Sequence, residues 1–100
     1  MKKRMLVYKK IKIGSKVIEA LCIKLSVKNF ILLRGSRGYV SCGYLNLSVA
    51  RKFKDTAIKI TGVSNIEEAL RAKVAAFTPQ AAKLGVTKGM TVKEALKIIA

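Results

Sequence analysis

Residues 34–46, RGSRGYVSCGYLN, hold the side chains of this sequence that are best suited to chemistry. Cys42 is a candidate nucleophile, because a basic stretch and a predicted helix start just after it both favour the thiolate. The chain contains no histidine, so the usual Cys–His pair cannot form. A structural role for Cys42 therefore stands beside the catalytic one. In that role the thiol packs as a small buried group, and Gly43 lets another element approach closely.

The glycine-rich part of the same stretch is a candidate anion site. Its arginines flank glycines whose backbone amides could face an anion, and the residues concerned are Arg34, Gly35, Ser36, Arg37 and Gly38. Tyr39 and Tyr44 follow as candidate stacking surfaces. The alternative is a solvated hairpin turn with both tyrosines packed in the core. No phosphate-loop or dinucleotide fingerprint is present, since the two glycines join predicted strands and do not open a helix.

Composition limits metal and acid–base chemistry. Two cysteines without histidine cannot complete a four-ligand zinc site, so we predict no metal and no cofactor. Cys22 lies in an apolar run and is expected to be a small buried hydrophobe. Of the five acidic residues, Glu67 and Glu94 are assigned to helix caps and Glu68 to an exposed helix start, which leaves Glu19 and Asp55 as weak candidates for a general base.

Positive charge is the strongest compositional signal. The chain carries 21 Lys and Arg against 5 Asp and Glu, a net charge of +16 that is concentrated in residues 1–54. Such an excess attracts polyanions, including nucleic acid, although lysines also serve simply to keep a small domain in solution. The basic residues expected to form this surface are Lys2, Lys3, Arg4, Lys9, Lys10 and Lys12, together with Arg34 and Arg37.

Hydrophobic periodicity predicts strands in the first half of the chain and short helices in the second. The predicted strands cover residues 4–13, 17–25, 30–33, 39–45, 56–61 and 74–77, with turns at 14–15 and 35–38. Lys9 falls on the apolar side of the first strand, which suggests a bulge or a strand end there.

Cap chemistry marks four helix starts. Asn46 caps a helix over residues 47–53, residues 64–67 form one capping box, and Thr91 opens another before the final helix. Thr78 precedes a proline in the first turn of a helix that stops at Gly85.

These elements predict one α+β domain over residues 1–100. The expected architecture is two-layered, with a largely antiparallel sheet of about five to six strands and short helices packed on it. No apolar run approaches the roughly 20 residues that span a bilayer, so we expect no membrane partner and a cytoplasmic location. A single helical layer leaves a sheet face or edge uncovered, so self-association into a homo-oligomer is also expected.

The motifs from residue 30 onward carry a family resemblance. The order is a strand, Gly-Tyr-Val-x-Cys-Gly-Tyr-Leu-Asn, a helix, Thr-Gly-Val, a second helix, and then Leu-Gly-Val-x-x-Gly-Met before the final helix. This pattern resembles the YunC-like family of uncharacterised bacterial and archaeal proteins over about residues 30–99. The resemblance implies a small α+β fold and no assigned activity. Its most distinctive motif falls on Cys42, Gly43, Tyr44 and Asn46.

Two functional hypotheses follow from the sequence. The first is a small basic binding protein that contacts nucleic acid or another polyanion without sequence specificity. The alternative is a small-molecule-binding protein or enzyme with a site around Cys42. The sequence leaves enzymatic activity open and favours binding, because no complete catalytic constellation is present.

Overall fold

The computed structural model describes residues 5–100, so the predictions for Lys2, Lys3 and Arg4 lie outside the described residues. Six strands and four helices follow one another along this part of the chain. They are β1 (Leu6–Ile13), β2 (Lys16–Lys24), β3 (Asn29–Arg34), β4 (Tyr39–Ser41), α1 (Leu47–Lys52), β5 (Ala57–Lys59), α2 (Ile66–Arg71), β6 (Ala76–Phe77), α3 (Pro79–Leu84) and α4 (Val92–Ile99). Within residues 5–100, every helix is too short or too polar to cross a bilayer.

The strands form one six-stranded sheet in chain order, which confirms the predicted α+β class with a largely antiparallel sheet. All neighbouring strands pair antiparallel except β4 and β5, which are parallel and are joined through α1. Parallel strands need such a crossover connection. As a result, the carboxyl ends of β4 and β5 lie at the same edge of the sheet.

One face of the sheet carries the main hydrophobic core. Leu33, Val40 and Ile58 are fully buried and adjacent in register across β3, β4 and β5. Residues of α2, α3 and α4 complete this core, including Leu96 and Ile99 of α4. Because each of these helices is too short to be stable alone, the burial of their apolar faces on the sheet is what holds them.

Helix α1 lies against the opposite face, over β4 and β5. Strand alternation turns Ser41 and Ala57 away from the main core, yet both are buried. Ala50 of α1 is also buried and, like Ala57, lies outside the main core cluster. The two helices that follow the parallel strands, α1 and α2, therefore leave the sheet towards different faces.

On β1, β2 and β3, the face of the sheet that points away from the main core is uncovered in the described structure. We call it the open face. Its residues are Leu6, Tyr8, Lys10 and Lys12 of β1, Val17, Glu19, Leu21 and Ile23 of β2, and Phe30, Leu32 and Arg34 of β3. Leu6, Tyr8 and Val17 are each at least half exposed. The prediction that copies of the chain associate stays a prediction.

Lys9 does not mark a bulge or a strand end, so that prediction is wrong. The pairing of β1 with β2 continues unbroken through Lys9 and Ala20. Lys9 lies on the helix side of the sheet, where its Nζ reaches Oε2 of Glu67 at 2.8 Å. A lysine can occupy this apolar row because its aliphatic stem packs while its ammonium group reaches the surface.

The first and the last helix, α1 and α4, begin at the predicted caps. The side chain of Asn46 accepts hydrogen bonds from the amides of Ser48 and Val49, and Thr91 forms the reciprocal capping box with Glu94. Helix α3 ends at Gly85, whose φ of 111° requires glycine or a strained residue.

The cap of α2 is displaced by one residue from its predicted place. Asn65 is the N-cap and accepts from the amide of Glu68 at 2.8 Å, while Glu68 accepts from the amide of Ser64 at 2.7 Å. Glu67 is free for its ion pair with Lys9. The sequence contains two overlapping cap patterns, and the packing of Ile66 in the core selects the later one.

Candidate functional site

The hairpin after β3 is a tightly packed turn, and the predicted free glycine amide is wrong for Gly35, while the neighbouring amide of Arg37 is engaged as well. The amide of Gly35 donates to the carbonyl of Gly38 at 2.8 Å, and the amide of Arg37 donates to the carbonyl of Ile99 at 2.9 Å. A Cβ at Gly35 would overlap the Ile99 carbonyl, and one at Gly38 would lie 2.6 Å from the carbonyl oxygen of Thr56. These glycines permit close packing of backbone on backbone.

The side chains of the hairpin are also largely engaged. Ser36 donates to the carbonyl of Ala100 at 3.1 Å. The guanidinium of Arg34 pairs with Glu19, which also accepts from the hydroxyl of Tyr8 at 2.6 Å. The hydrogen bond from Tyr8 and then that from Arg34 hold the pKa of Glu19 below its usual value. An anion contact with the exposed Arg37 side chain stays a prediction.

The two tyrosines differ in environment, and neither is fully buried in the core. Tyr39 is half-buried, and its hydroxyl donates to Oδ2 of Asp55 at 2.9 Å. Burial and this hydrogen bond raise the pKa of Tyr39 to about 12. Tyr44 is 50% exposed, and its ring centroid lies 6.4 Å from that of Phe30 with the planes tilted by 53°.

Cys42 is the residue directly after β4. Its Sγ accepts the hydrogen bond that a backbone carbonyl oxygen would accept if the pairing of β3 with β4 continued. Its Sγ accepts from the amide of Ile31 at 3.4 Å and lies 3.7 Å from the carbonyl oxygen of Asn29, to which the thiol can donate. Cys42 is only 4% exposed. This geometry supports the structural role, because the thiol satisfies a backbone donor that would otherwise be unpaired.

Gly43 does not serve close packing, so that part of the prediction is wrong. No atom of residues 5–100 lies within 4 Å of the position that a Cβ of Gly43 would take. Cys22 is half-buried and packs against the core, and burial raises the pKa of its thiol. Within residues 5–100, no three His, Cys, Asp or Glu side chains are grouped so that they could hold a metal ion.

Cys42 and Gly43 line a pocket of about 460 Å³ at the edge of the sheet where β4 and β5 end. Three segments meet there, namely residues 27–28 before β3 with Asn29 as its first residue, residues 42–44 after β4, and residues 61–64 after β5. The side-chain amide of Asn29 donates to the carbonyl of Ser64 at 2.7 Å and ties the first connection to the third. The pocket residues are Val27, Lys28, Asn29, Cys42, Gly43, Tyr44, Thr61, Gly62, Val63 and Ser64.

The lining of this pocket is suited to a negatively charged ligand. Among the described residues, Lys28 is the one charged side chain that lines the pocket, and no carboxylate lines it. Within residues 5–100, the backbone amides of Gly43, Tyr44, Gly62 and Val63 donate no hydrogen bond to the protein. A Cβ added at Gly62, like one at Gly43, would lie more than 4 Å from every other atom of residues 5–100. The φ of Gly62, +73°, also favours glycine. Free amides beside a lysine are donors that an anion can use.

The predicted site residues divide into three groups in space. Cys42, Gly43 and Tyr44 line the pocket, while Asn46 caps α1 behind them. The hairpin of residues 34–38 lies at the opposite end of β4. Lys9 is paired on the helix side, whereas Lys10 and Lys12 belong to the open face.

Sequence reasoning missed Lys28, Asn29, Thr61 and Ser64 as site residues. Lys28 and Asn29 become neighbours of Cys42 through the antiparallel pairing of β3 with β4, and Thr61 and Ser64 do so through the parallel pairing of β4 with β5. The signal that could have found the pocket is the order strand, short helix, strand, since the carboxyl ends of parallel strands border ligand sites in many folds.

Comparison with known proteins gives a consistent family assignment. Residues 41–99 match the family model of DUF1805, a domain of unknown function. The uncharacterized protein YunC of Bacillus subtilis (strain 168) is 33% identical over 81 residues, which cover 77% of this chain and 80% of that protein. The crystal structure of TA1206 from Thermoplasma acidophilum, a protein of unknown function, superposes with a TM-score of 0.92 at 30% identity and covers 96% of this chain and 94% of that one.

The family model covers more than half of the chain, and its matched segment begins at the strand that leads into the pocket. The predicted resemblance to YunC-like proteins is confirmed. This chain belongs to the DUF1805 family.

Proposed function

We propose that this chain is a small-molecule-binding protein whose pocket at the ends of β4 and β5 takes a small anionic ligand. The observation that carries this proposal is the convergence of the family-motif residues on one pocket. Cys42, Gly43 and Tyr44 approach it from one loop, and Gly62 and Val63 approach it from the next. Its volume lies within the range of about 300–1,000 Å³ that is typical of small-ligand pockets.

The topology explains why a crevice forms at this place. Helix α1 leaves the end of β4 towards one face of the sheet, and α2 leaves the end of β5 towards the other. Where neighbouring parallel strands send their connections to opposite faces, the loops diverge and leave a gap beyond the carboxyl ends. The pocket occupies this gap.

The chemistry of the lining favours binding over covalent catalysis. The ammonium of Lys28, the free amides of the two loops and the hydroxyls of Thr61 and Ser64 offer donors to phosphate or carboxylate oxygens. The thiol of Cys42 is buried and hydrogen-bonded to backbone groups. A nucleophile would need to be exposed and beside a base, and the pocket lining contains neither histidine nor carboxylate.

Thermal-shift and calorimetric titrations with inorganic phosphate, pyrophosphate and a tricarboxylate test this proposal. We expect saturable binding of at least one of these anions, with affinity lost in Lys28→Gln and in Gly43→Ala, since Gly43 lines the pocket and the new methyl group would occupy open space at this residue. Lys97→Gln is the matched control, because it removes the same charge near the C-terminal end of α4, beside the hairpin at the other end of the sheet. Equal losses in Lys28→Gln and Lys97→Gln would contradict the proposal.

Polyanion contact is a second candidate function, and we infer it from the charge. The net charge of +16 supports it, as does the small number of ion pairs, since only Lys9 and Arg34 form salt bridges within residues 5–100. Binding to labelled single-stranded and duplex oligonucleotides tests it. We expect log K to fall with log salt, by about 0.7 for each phosphate contact on single strands and about 0.9 on duplex DNA.

A further inference from the structure

The open face presents aromatic rings at one end. Tyr8 of β1 and Phe30 of β3 lie on this face in adjacent outward rows, with β2 between them; Tyr8 is 50% exposed, and Phe30 is half-buried with its other contacts in the core. The ring of Tyr44, which is 50% exposed, lies beside that of Phe30 at a centroid distance of 6.4 Å. Exposed aromatic rings on a sheet are the surfaces on which unpaired bases stack.

The other end of the open face presents cations. Lys10 lies opposite Glu19 in the strand register, Glu19 lies opposite Arg34, and Lys12 follows in the next outward position of β1. Lys10 and Lys12 are exposed. Glu19 is the one acidic residue of this face, and its charge is engaged by Arg34 and by the hydroxyl of Tyr8.

We propose that the open face binds single-stranded nucleic acid. In this arrangement bases stack on Tyr8, Phe30 and Tyr44, and phosphates contact Lys10 and Lys12. The inference rests on the polyanion function proposed above and adds to it the surface and the strandedness of the partner.

The geometry favours a single strand over a duplex. Rows of outward residues are about 7 Å apart along a strand and neighbouring strands about 5 Å apart, so the face spans roughly 20 Å by 15 Å. This area holds two or three stacked bases, which is the number that similar sheet surfaces bind. A duplex keeps its bases stacked inside and would leave the rings without a partner.

Charge argues against a second copy of this chain as the occupant. A contact between two open faces would contain Lys10 and Lys12 from each copy, and the one acid of each face, Glu19, is already engaged by Arg34. The whole chain carries +16, so self-association also works against long-range repulsion, whereas a phosphate backbone matches the sign of the face.

Fluorescence anisotropy with labelled 12-nucleotide oligo-dT, oligo-U and a 12-base-pair duplex, at about 50 mM salt, tests the inference. We expect tighter binding of the single strands and a loss of about fivefold or more in Tyr8→Leu, the scale of one lost stacking contact. Tyr8→Trp is the matched control, because it removes the same hydroxyl but keeps a ring. Since the chain contains no tryptophan, the indole also reports stacking through quenching of its fluorescence.

A second pair of variants tests the cations of the face. Lys10→Gln with Lys12→Gln is expected to lower the salt slope on single strands by about 1.4, at about 0.7 per contact. Lys93→Gln with Lys97→Gln removes the same charge from α4, on the other side of the sheet, and is expected to leave the slope nearly unchanged.

Each alternative gives a different result. Equal binding of duplex and single strands, with equal losses in both double variants, would overturn the inference and leave polyanion contact in place. The absence of binding to all three oligonucleotides would overturn both. A concentration-dependent dimer in sedimentation that Tyr8→Leu dissolves, with no oligonucleotide binding, would assign the face to a second copy.

Discussion

Replacing Cys42 by alanine tests the structural role of the thiol. The substitution removes the Sγ that accepts from the amide of Ile31 and leaves this buried backbone donor without its partner. An unsatisfied buried donor costs about 1–3 kcal/mol, and the lost volume of a residue that is 4% exposed adds a small cavity term. We expect Cys42→Ala to lower the free energy of unfolding by about 2 kcal/mol, which corresponds to a midpoint about 8–16 °C lower for a domain of this size.

Urea unfolding followed by circular dichroism at pH 7 measures this change. Cys42→Ser is the matched variant, because its hydroxyl keeps an acceptor for Ile31 and a donor for the carbonyl of Asn29. We expect it to recover about half of the lost stability. A Cys42→Ala protein within about 0.5 kcal/mol of wild type, or rapid labelling of the native thiol at pH 7, would refute the reasoning and favour a reactive cysteine.

Three further predictions concern other parts of the fold. Gly35→Ala should cost about 2–3 kcal/mol in urea unfolding, because its methyl group would overlap the carbonyl of Ile99, and a neutral result would contradict the packing described for the hairpin. Tyr39→Phe should cost about 1 kcal/mol at pH 7 through the lost hydrogen bond to Asp55. Because the pKa of Tyr39 is raised in the folded state to about 12, this advantage of the wild type should shrink as pH rises from about 10 to 12 in thermal unfolding, and a constant difference would count against it. The lowered pKa of Glu94 in its capping box predicts that Glu94→Gln differs from wild type mainly above about pH 4.5, and that the difference is lost as pH falls below this value.

The fold was predictable where local chemistry determines it. Alternating apolar residues indicated the strands, Asn46 and Thr91 indicated helix starts through their own side chains, and Gly85 indicated a helix end. The cap of α2 was displaced by one position because Ser64 and Asn65 both fit the pattern, and only the packing of the helix distinguishes them.

The site was predictable only in part, because its formation depends on tertiary pairing. The motif around Cys42 was recognised, but residues 27–29 are brought to it by the pairing of β3 with β4, and residues 61–64 by the parallel pairing of β4 with β5. The amide of Arg37 is engaged by Ile99, from the far end of the chain. No local pattern in residues 34–38 indicates that contact.

The most direct test of the proposed small-anion pocket is a titration with pyrophosphate followed by two-dimensional ¹⁵N–¹H NMR. We expect saturable shifts of the amide signals of Gly43, Tyr44, Gly62 and Val63, and their loss in the Lys28→Gln variant. Changes that do not saturate and are spread over the exposed lysines, with these four signals unmoved, would contradict the proposed pocket.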